Sequence, residues 1–523
     1  MEYNNPSEIV KNLSFGKEGQ SKIIKGIDKL ADAVSSTLGA SGRCVIYEDA
    51  TGKPVITKDG VTVANSVVLL DPVENIGATL IKEAAQKTVK EAGDGTTTST
   101  VLARAILKEY VASKKTNIRK IKEGINNAVN KTIAYLDNIK IPVEGDMLTS
   151  VANISTNNDI ELGKLIADVY KEVGKDGVVL MEESESNETQ IELVKGVQFD
   201  SGLKSQHLIT DTEKNKAELD DPAVLIVSSK IPNIRKIQNV LEYVIKNKQP
   251  LLIIADLEQQ PLSALIMNKV KGNIKVNIVD TPGFGPTKQD TLEDLAVITG
   301  AKVISEELGD DLDLIDPQCL GKATKAVTTQ NNTVVTVENV PQDVEERIKV
   351  VRKKLKNEKN GFFKTKLEQR LAMLSGAVGI IKVGANSKVE LKEKKDRVED
   401  AIHAVKAALQ EGIVPGAGIA LLNAAKKNKA ECPGEEILFK AIKEPFNKIL
   451  ENAGIGAPEN MHSMPEGHGI NVITGIVSDM VKEGIVDPVL VTKTALINAA
   501  SVATTIISAD CIISNVRLNE SSK

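Results

Sequence analysis

The sequence predicts a multidomain α and α/β protein in which a mainly helical domain, split between the two chain ends, carries an α/β insertion. Three observations predict this. The 523 residues amount to about three or four domains at roughly 100–200 residues each. Helical apolar stripes dominate residues 1–140 and 411–523, whereas short apolar strands alternate with helices across 196–377. Chain termini usually belong to one compact unit, so like ends around an unlike middle point to an inserted domain.

Taken in order, Ile23, Ile24, Ile27, Leu30, Ala31 and Val34 form one helical stripe. Ile81, Ala84, Ala85 and Val89 form a second, and Val101, Leu102, Ala105 and Ile106 a third. Between the first two, strands at 44–47 and 55–57 flank a Gly-Lys-Pro turn. The texture changes at Ile141-Pro142, where a helix over Ile160–Val173 precedes a strand at 177–181. Strands follow at Val224–Val227, Leu251–Ala255, Val276–Val279 and Lys302–Ile304, separated by helices at Ile234–Ile245, Leu262–Val270 and Thr291–Ile298. A charged helical pair, Asp343–Asn357 and Phe363–Leu374, is interrupted at Asn360-Gly361. Helix returns over Val398–Gln410 and Thr494–Ala503.

Composition excludes several functions. The formal charge is −5, so no net basic field draws the chain to nucleic acid or anionic membrane. Trp is absent, and seven Phe with six Tyr leave few platforms for base stacking. Cores must come from Val, Ile, Leu and Ala. No uninterrupted apolar run approaches the ~18–20 residues of a bilayer span. The N-terminal segment has neither the basic and apolar regions of a secretory signal nor an Arg-rich transit character. Cys44, Cys319, Cys432 and Cys511 are scattered, which argues against a disulfide framework or a zinc knuckle and for a reducing cytoplasm.

The standard nucleotide signatures are missing. No Gly-Lys pair is followed by Ser or Thr, no G-x-G-x-x-G follows a strand, and the four histidines form no H-E-x-x-H. The stretch Gly93-Asp94-Gly95-Thr96-Thr97-Thr98-Ser99-Thr100 stands out instead. Two glycines allow a tight turn that presents backbone N–H groups, and a helix N-terminus favours an anion. Thr96, Thr97 and Thr98 add hydroxyl donors, and Asp94 is a hard oxygen ligand suited to Mg²⁺. One cap would explain one such residue, but not five hydroxyls in a row. Thr37-Leu38-Gly39 through Gly42-Arg43 reads equally as a helix C-cap, Thr57-Lys58-Asp59-Gly60 as an Asp-Gly turn, and Asp400 as a solvated carboxylate.

Their combination narrows the reading. GDGTTT, TLG-x-x-GR, TKDG and RVEDAIHAVKAALQEGIVPGAG occur in one chain, with ISTNND, GKDGVV, PLLIIA, TPGFG, VISEELG, IKVGA and NAASVATTI. Together, from about Phe15 to Ile513, they resemble the group I chaperonins, the GroEL-like class. The resemblance implies an equatorial ATP-binding domain (1–140 and 411–523), an intermediate hinge domain (141–195 and 378–410) and an apical substrate-binding domain (196–377). It implies a cytoplasmic homo-oligomeric ring, expected to be heptameric, that binds non-native polypeptides and drives their folding with ATP, Mg²⁺ and K⁺. A GroES-like lid is a possible partner; nucleic acid and membrane are not.

Carried over by motif, Thr37, Leu38 and Gly39 would lie along the nucleotide and K⁺, with Lys58 beside them. Asp94 would hold Mg²⁺, and Gly95, Thr96, Thr97 and Thr98 would cradle the phosphates. Asp59 and Asp400 would orient or deprotonate the attacking water, and the domain carrying Asp400 would have to close over the site. Gly416, Asn471, Ile485 and Asp487 would line the adenosine end. Leu203, Leu208, Val240, Leu241, Leu262, Ile266 and Met267 would form the client-binding groove, although such stripes are ordinarily core.

The chain departs from the family pattern at several points. His207 replaces an aromatic, Gln238 an apolar groove residue, Ala40-Ser41 a Pro-Lys pair, and Ala377 a hinge glycine. The Gly-Gly-Met tail is absent, and Met461-His462-Ser-Met464-Pro-Glu-Gly-His468 replaces a Gly-rich loop. A soft-metal site in that loop lacks fixed geometry. These departures keep open a holdase-like ring with altered or absent lid dependence. An ordinary metabolic kinase would differ by being a monomer or dimer.

Overall fold

The computed structural model describes residues 11–515, except positions 50, 116, 144, 157, 175–176, 185, 213, 284–285, 313–314, 339–342, 358–362, 364–366, 368–369, 372, 375–376 and 457–463. By compactness the chain divides into two units. The first comprises Met1–Asp168, Glu183–Thr189 and Val383–Lys523, the second Val169–Glu182 and Gln190–Lys382. The expected insertion is present. The segments assigned by sequence to a hinge domain are divided, with 141–168 and 383–410 grouping with the terminal unit.

The first unit is a helical assembly. Helix Gly16–Ser35 buries Ile23, Ile27, Leu30 and Val34, the stripe read from sequence. Helix Pro72–Ala92 starts where Asp71 accepts the N–H groups of Val73 and Glu74, with Pro at its first position, and ends at the left-handed Gly93. Such a cap contributes about 1 kcal/mol. The two helices meet backbone to backbone. A Cβ on Gly26 would stand 1.9 Å from the Glu74 carbonyl oxygen, and one on Gly77 2.4 Å from that of Ile23.

Helix Thr96–Ser113 runs through the core, burying Val101, Leu102, Ala103, Ile106 and Leu107. Helix Val489–Ser508 lies in the same core through Val489, Leu496, Ala499, Ala500 and Ala503. By length and hydropathy this helix could cross a membrane, but two-thirds of it is buried in the protein. The sequence reading marked its Thr494–Ala503 part as helix but found no membrane-length run, because Thr and Lys interrupt the apolar residues. It passed over helix Ile118–Ile139, whose buried Ile121, Ile125, Ala128 and Leu136 keep a helical period. Four two-stranded antiparallel sheets complete the unit: Lys11–Phe15 with Cys511–Asn515, Val45–Glu48 with Pro54–Thr57, Ile413–Pro415 with Val486–Pro488, and His468–Asn471 with Ile476–Asp479.

The second unit holds two sheets. Val303–Ile304, Ala223–Val227, Leu251–Ile254 and Val276–Val279 are parallel neighbours in that order, with Gly321–Lys322 antiparallel to Ala223–Val227. Ala223–Val227, Leu251–Ile254 and Val276–Val279 are buried at every position, which is why they read as apolar runs. The six-stranded second sheet, in the order Val178–Glu183, Ala377–Val383, Gln190–Phe199, Thr333–Val337, Lys325–Thr328 and Ala217–Asp220, was largely unread. Its Gln190–Phe199 strand pairs with Ala377–Val383, far away in sequence, and no local pattern announces such a pairing. The expected Ile234–Ile245 helix is a 3₁₀ turn, Ile234–Ile237, followed by helix Gln238–Lys246. Half of the expected Phe363–Leu374 helix lies outside the described residues.

Gly26→Ala and Gly77→Ala should each destabilise the protein by about 1–3 kcal/mol, the usual cost of overpacking. Gly456→Ala, with nothing within 4 Å of the added Cβ, is the control. Thermal unfolding should show lower melting for the first two variants alone.

Candidate functional site

In the first unit, a cavity of about 510 Å³ opens beside the turn at Gly93–Gly95. Gly93 closes helix Pro72–Ala92 with φ +78°, and Gly95 precedes helix Thr96–Ser113 with φ +98°. Both conformations favour glycine. Space demands it as well: a Cβ on Gly93 would stand 2.5 Å from that of His403, and one on Gly95 2.9 Å from Cγ1 of Val491. Asp94 is thereby held at the cavity, with its carboxylate accepting the Gly95 N–H.

The hydroxyl run divides by role. Ser99 and Thr100 turn inward and donate to the Thr96 carbonyl at 2.9 Å each. Thr96, Thr97 and Thr98 line the cavity at the helix N-terminus, where partial positive charge and orphan N–H groups favour an anion.

Asp59 caps helix Gly60–Ser66, its two oxygens accepting the N–H groups of Val61 (3.0 Å) and Thr62 (2.7 Å). The Asp-Gly turn read from sequence is thus a helix cap at the cavity wall, beside Lys58. Thr37, Leu38 and Gly39 lie just beyond helix Gly16–Ser35. Asn452 ties this turn down by donating to the carbonyls of Ser35 and Leu38 at 2.9 Å each. The helix ends at Ser36, so Gly39 is not its C-cap.

Asp400 lies on helix Lys388–Glu411 and lines the same cavity. In this conformation the helix packs against the site, with Ala407 buried against Ala92 and Val491. One expectation changes here: Asp400 is not a solvated surface carboxylate. Burial, followed by the charges of Asp94 and Asp59, raises its pKa well above the usual carboxylate value. Burial also raises Asp94, against the lowering effects of the Gly95 N–H and His403. Asp487, on strand Val486–Pro488, is pushed up to about 7 by burial and then by Asp94, although it accepts the Gly418 N–H.

Asn471 and Ile485 line the cavity as expected. Gly416 does not: its backbone lies against Val486, and Ala417 and Gly418 take the wall position. Sequence reasoning missed Glu393, Asp396 and Arg397, although they precede Asp400 by seven, four and three residues and so share its helical face. It also missed Ser150 and Asn153, just before the quoted ISTNND motif, and Asn158 within it.

Seven carboxylate side chains and two cationic ones, Lys58 and Arg397, line the cavity. Among the described residues, no group of three or more His, Cys, Asp or Glu side chains converges to hold a metal by itself. A hard cation held at Asp94 would need further oxygens from a bound anion, which is how Mg²⁺ is usually held with phosphates. The residues present fit that arrangement.

In the second unit the proposed client residues are mostly core. Leu208 and Val240 are fully buried, and Leu241 and Leu262 nearly so, in the cluster around the parallel sheet. Leu203 and Ile266 are half-buried against it. The reason is helical phase: Ile237, Val240, Leu241 and Val244 all face inward. Met267 is exposed, together with Val270, Tyr243 and Ile245. Gln238 bonds Glu242 on the outer face at 2.7 Å.

Asp400→Asn removes one of the mutually repelling carboxylates. The folded pKa of Asp400 lies above its unfolded value, so its stabilising contribution is complete at low pH and is lost as pH rises through the folded pKa. The variant should therefore melt about 2–4 °C higher than wild type at pH 8, equivalent to ~1 kcal/mol. That gain should vanish near pH 4.

The sequence profile of the TCP-1/cpn60 chaperonin family matches residues 30–517. Among solved structures, the chain resembles the chaperonin gp146 from bacteriophage EL 2 (Pseudomonas aeruginosa), crystallised in the presence of ATP-BeFx. One crystal form aligns at TM-score 0.70 and 23% identity, covering 97% of this chain and 99% of that one. A second form aligns at TM-score 0.64 with the same identity and coverage. At that identity the likeness is one of fold. With the profile match spanning nearly the whole length, the chain belongs to the TCP-1/cpn60 chaperonin family.

Proposed function

We propose that this protein is an ATP-hydrolysing chaperonin, assembling as a ring that binds non-native polypeptides and promotes their folding. The observation that carries the reading is the convergence of Asp59, Asp94 and Asp400 on one cavity at a glycine-flanked helix N-terminus. Phosphoryl transfer depends mainly on positioning and charge neutralisation, and this wall offers both. Thr96, Thr97 and Thr98 would receive phosphate oxygens. Asp94 would hold Mg²⁺, which supplies charge neutralisation between phosphate oxygens. Asp400, with its raised pKa, suits a group that takes a proton from water near neutral pH. Asp59 gives one bonding direction of each oxygen to its helix cap and keeps lone pairs for orienting water. K⁺ beside Thr37–Gly39, a seven-membered ring, a GroES-like lid and a cytoplasmic site rest on the family resemblance.

Gln238, bonded to Glu242 where the family pattern has an apolar groove residue, favours a second reading, a holdase-like ring with altered lid dependence. Refolding of a stringent client with and without a lid separates the two.

Steady-state hydrolysis by particles sized with light scattering tests the main reading. Asp400→Ala should lower kcat by at least about 10²-fold while ATP binding persists, the usual scale for a general base. A small particle, or turnover indifferent to Asp400, would sink it. For client capture, Met267→Ser combined with Val270→Ser should weaken binding of a denatured protein and leave hydrolysis unchanged. Val240→Ala should instead lower thermal stability by about 1–3 kcal/mol, because a buried side chain is truncated.

A further inference from the structure

Among the described residues the hairpin His468–Asn471 with Ile476–Asp479 joins no larger sheet, and an isolated two-stranded ribbon is marginal by itself. It leaves Ile473, Ile476 and Val477 exposed and packs through Ile470 and the adjoining Met480 on Ile419, Leu422 and Phe446. The approach is close enough that a Cβ on Gly469 would stand 2.6 Å from the Ile419 side chain.

One carboxylate ties down the turn that leads into this hairpin. Glu466 Oε1 accepts the Tyr135 hydroxyl at 2.5 Å, and its Oε2 lies 3.3 Å from the Lys427 ammonium. Tyr135 is 9% exposed on helix Ile118–Ile139, and Lys427 ends helix Ile419–Lys427. Glu466 therefore joins the turn to two helices. The turn is fastened to the hairpin in its own right: the His468 N–H donates to the Pro465 carbonyl at 3.1 Å, and the Met480 N–H to that of Gly467 at 3.0 Å. The hairpin carries Ile470 and Asn471, both on the cavity wall.

We propose that Glu466, gripped by Tyr135 and Lys427, is a positioning residue that sets the wall recognising the purine end of the nucleotide, acting through Ile470 and Asn471. The proposal rests on the ATP-site reading above. The phosphate end is held by different elements, the turn at Asp94 and the helix beginning at Thr96. Loss of the latch should therefore loosen purine recognition without slowing the chemical step. Tyr135 and Lys427 lower the pKa of Glu466, so at neutral pH the latch is a charge-assisted bond.

The test compares the full-length wild type with Tyr135→Phe, Glu466→Ala, Glu466→Gln and Lys427→Met. KM and kcat for ATP, calorimetric binding of ADP and GDP, and melting temperature are the readouts. Tyr135→Phe and Glu466→Ala should raise KM about three- to tenfold, the scale of one hydrogen bond to a charged acceptor at a partly exposed site. Both should narrow the preference for ADP over GDP and leave kcat within about twofold. Glu466→Gln keeps an acceptor for Tyr135 and should restore most of the affinity. Lys427→Met should act in the same direction as Tyr135→Phe, but more weakly. Unchanged KM and purine preference in Tyr135→Phe and Glu466→Ala, beside normal wild-type binding, would overturn this inference alone. So would a parallel loss of kcat and melting temperature, which marks a merely structural contact. A wild type that binds no adenine nucleotide overturns the ATP reading, and this inference with it.

Discussion

The site depends on a close approach of backbone to side chain at Gly93 and Gly95. Helix Lys388–Glu411 sets His403 directly over Gly93, and helix Val489–Ser508 sets Val491 over Gly95. A methyl group at either glycine would push one of these helices away. Asp400 lies three residues before His403, on the same helical face, so whatever seats His403 also delivers Asp400. The left-handed backbone on both sides of Asp94 and the arrival of a second carboxylate from far along the chain are thus parts of one packing solution.

That solution gathers like charge. Asp94, Asp400 and Asp487 are half-buried around one cavity and all hold protons more tightly than an exposed carboxylate would. Burial is the largest cause for each, and repulsion adds to it. Clustered carboxylates with raised pKa values mark a cavity as a candidate site, and the proposed nucleotide reading uses this property. The ion pairs elsewhere have a different character. Asp294, fully buried in the second unit, is bonded by Arg347 and Arg370 together, a satisfied arrangement that holds helices and leaves nothing to bind.

Much of this was legible in the sequence. The stripe of helix Gly16–Ser35 and the buried strands around Leu251–Ile254 announced themselves, because helical period and unbroken apolar runs are local signals. The phosphate-loop candidate was legible because five consecutive hydroxyls exceed what a cap requires. What stayed hidden was relational. The Gln190–Phe199 and Ala377–Val383 pairing joins segments that carry no shared mark. Asp400 read as solvated because its partners come from other helices. The groove residues show the opposite failure: the phase of Val240 and Leu241 was readable, and the ordinary explanation, core packing, was the right one for them.

The pairing of Lys11–Phe15 with Cys511–Asn515 has a consequence for how the molecule is made. The first of these strands is made long before its partner, and helix Val489–Ser508, part of the same core, also comes late. The first unit therefore cannot finish folding until these late segments have emerged. Its early helices must wait, with their apolar faces uncovered, while the inserted unit, whose segments are all available sooner, can close first. The chain must therefore pass through a long unfinished state, and the helix that completes its core is apolar enough to be taken for a membrane segment.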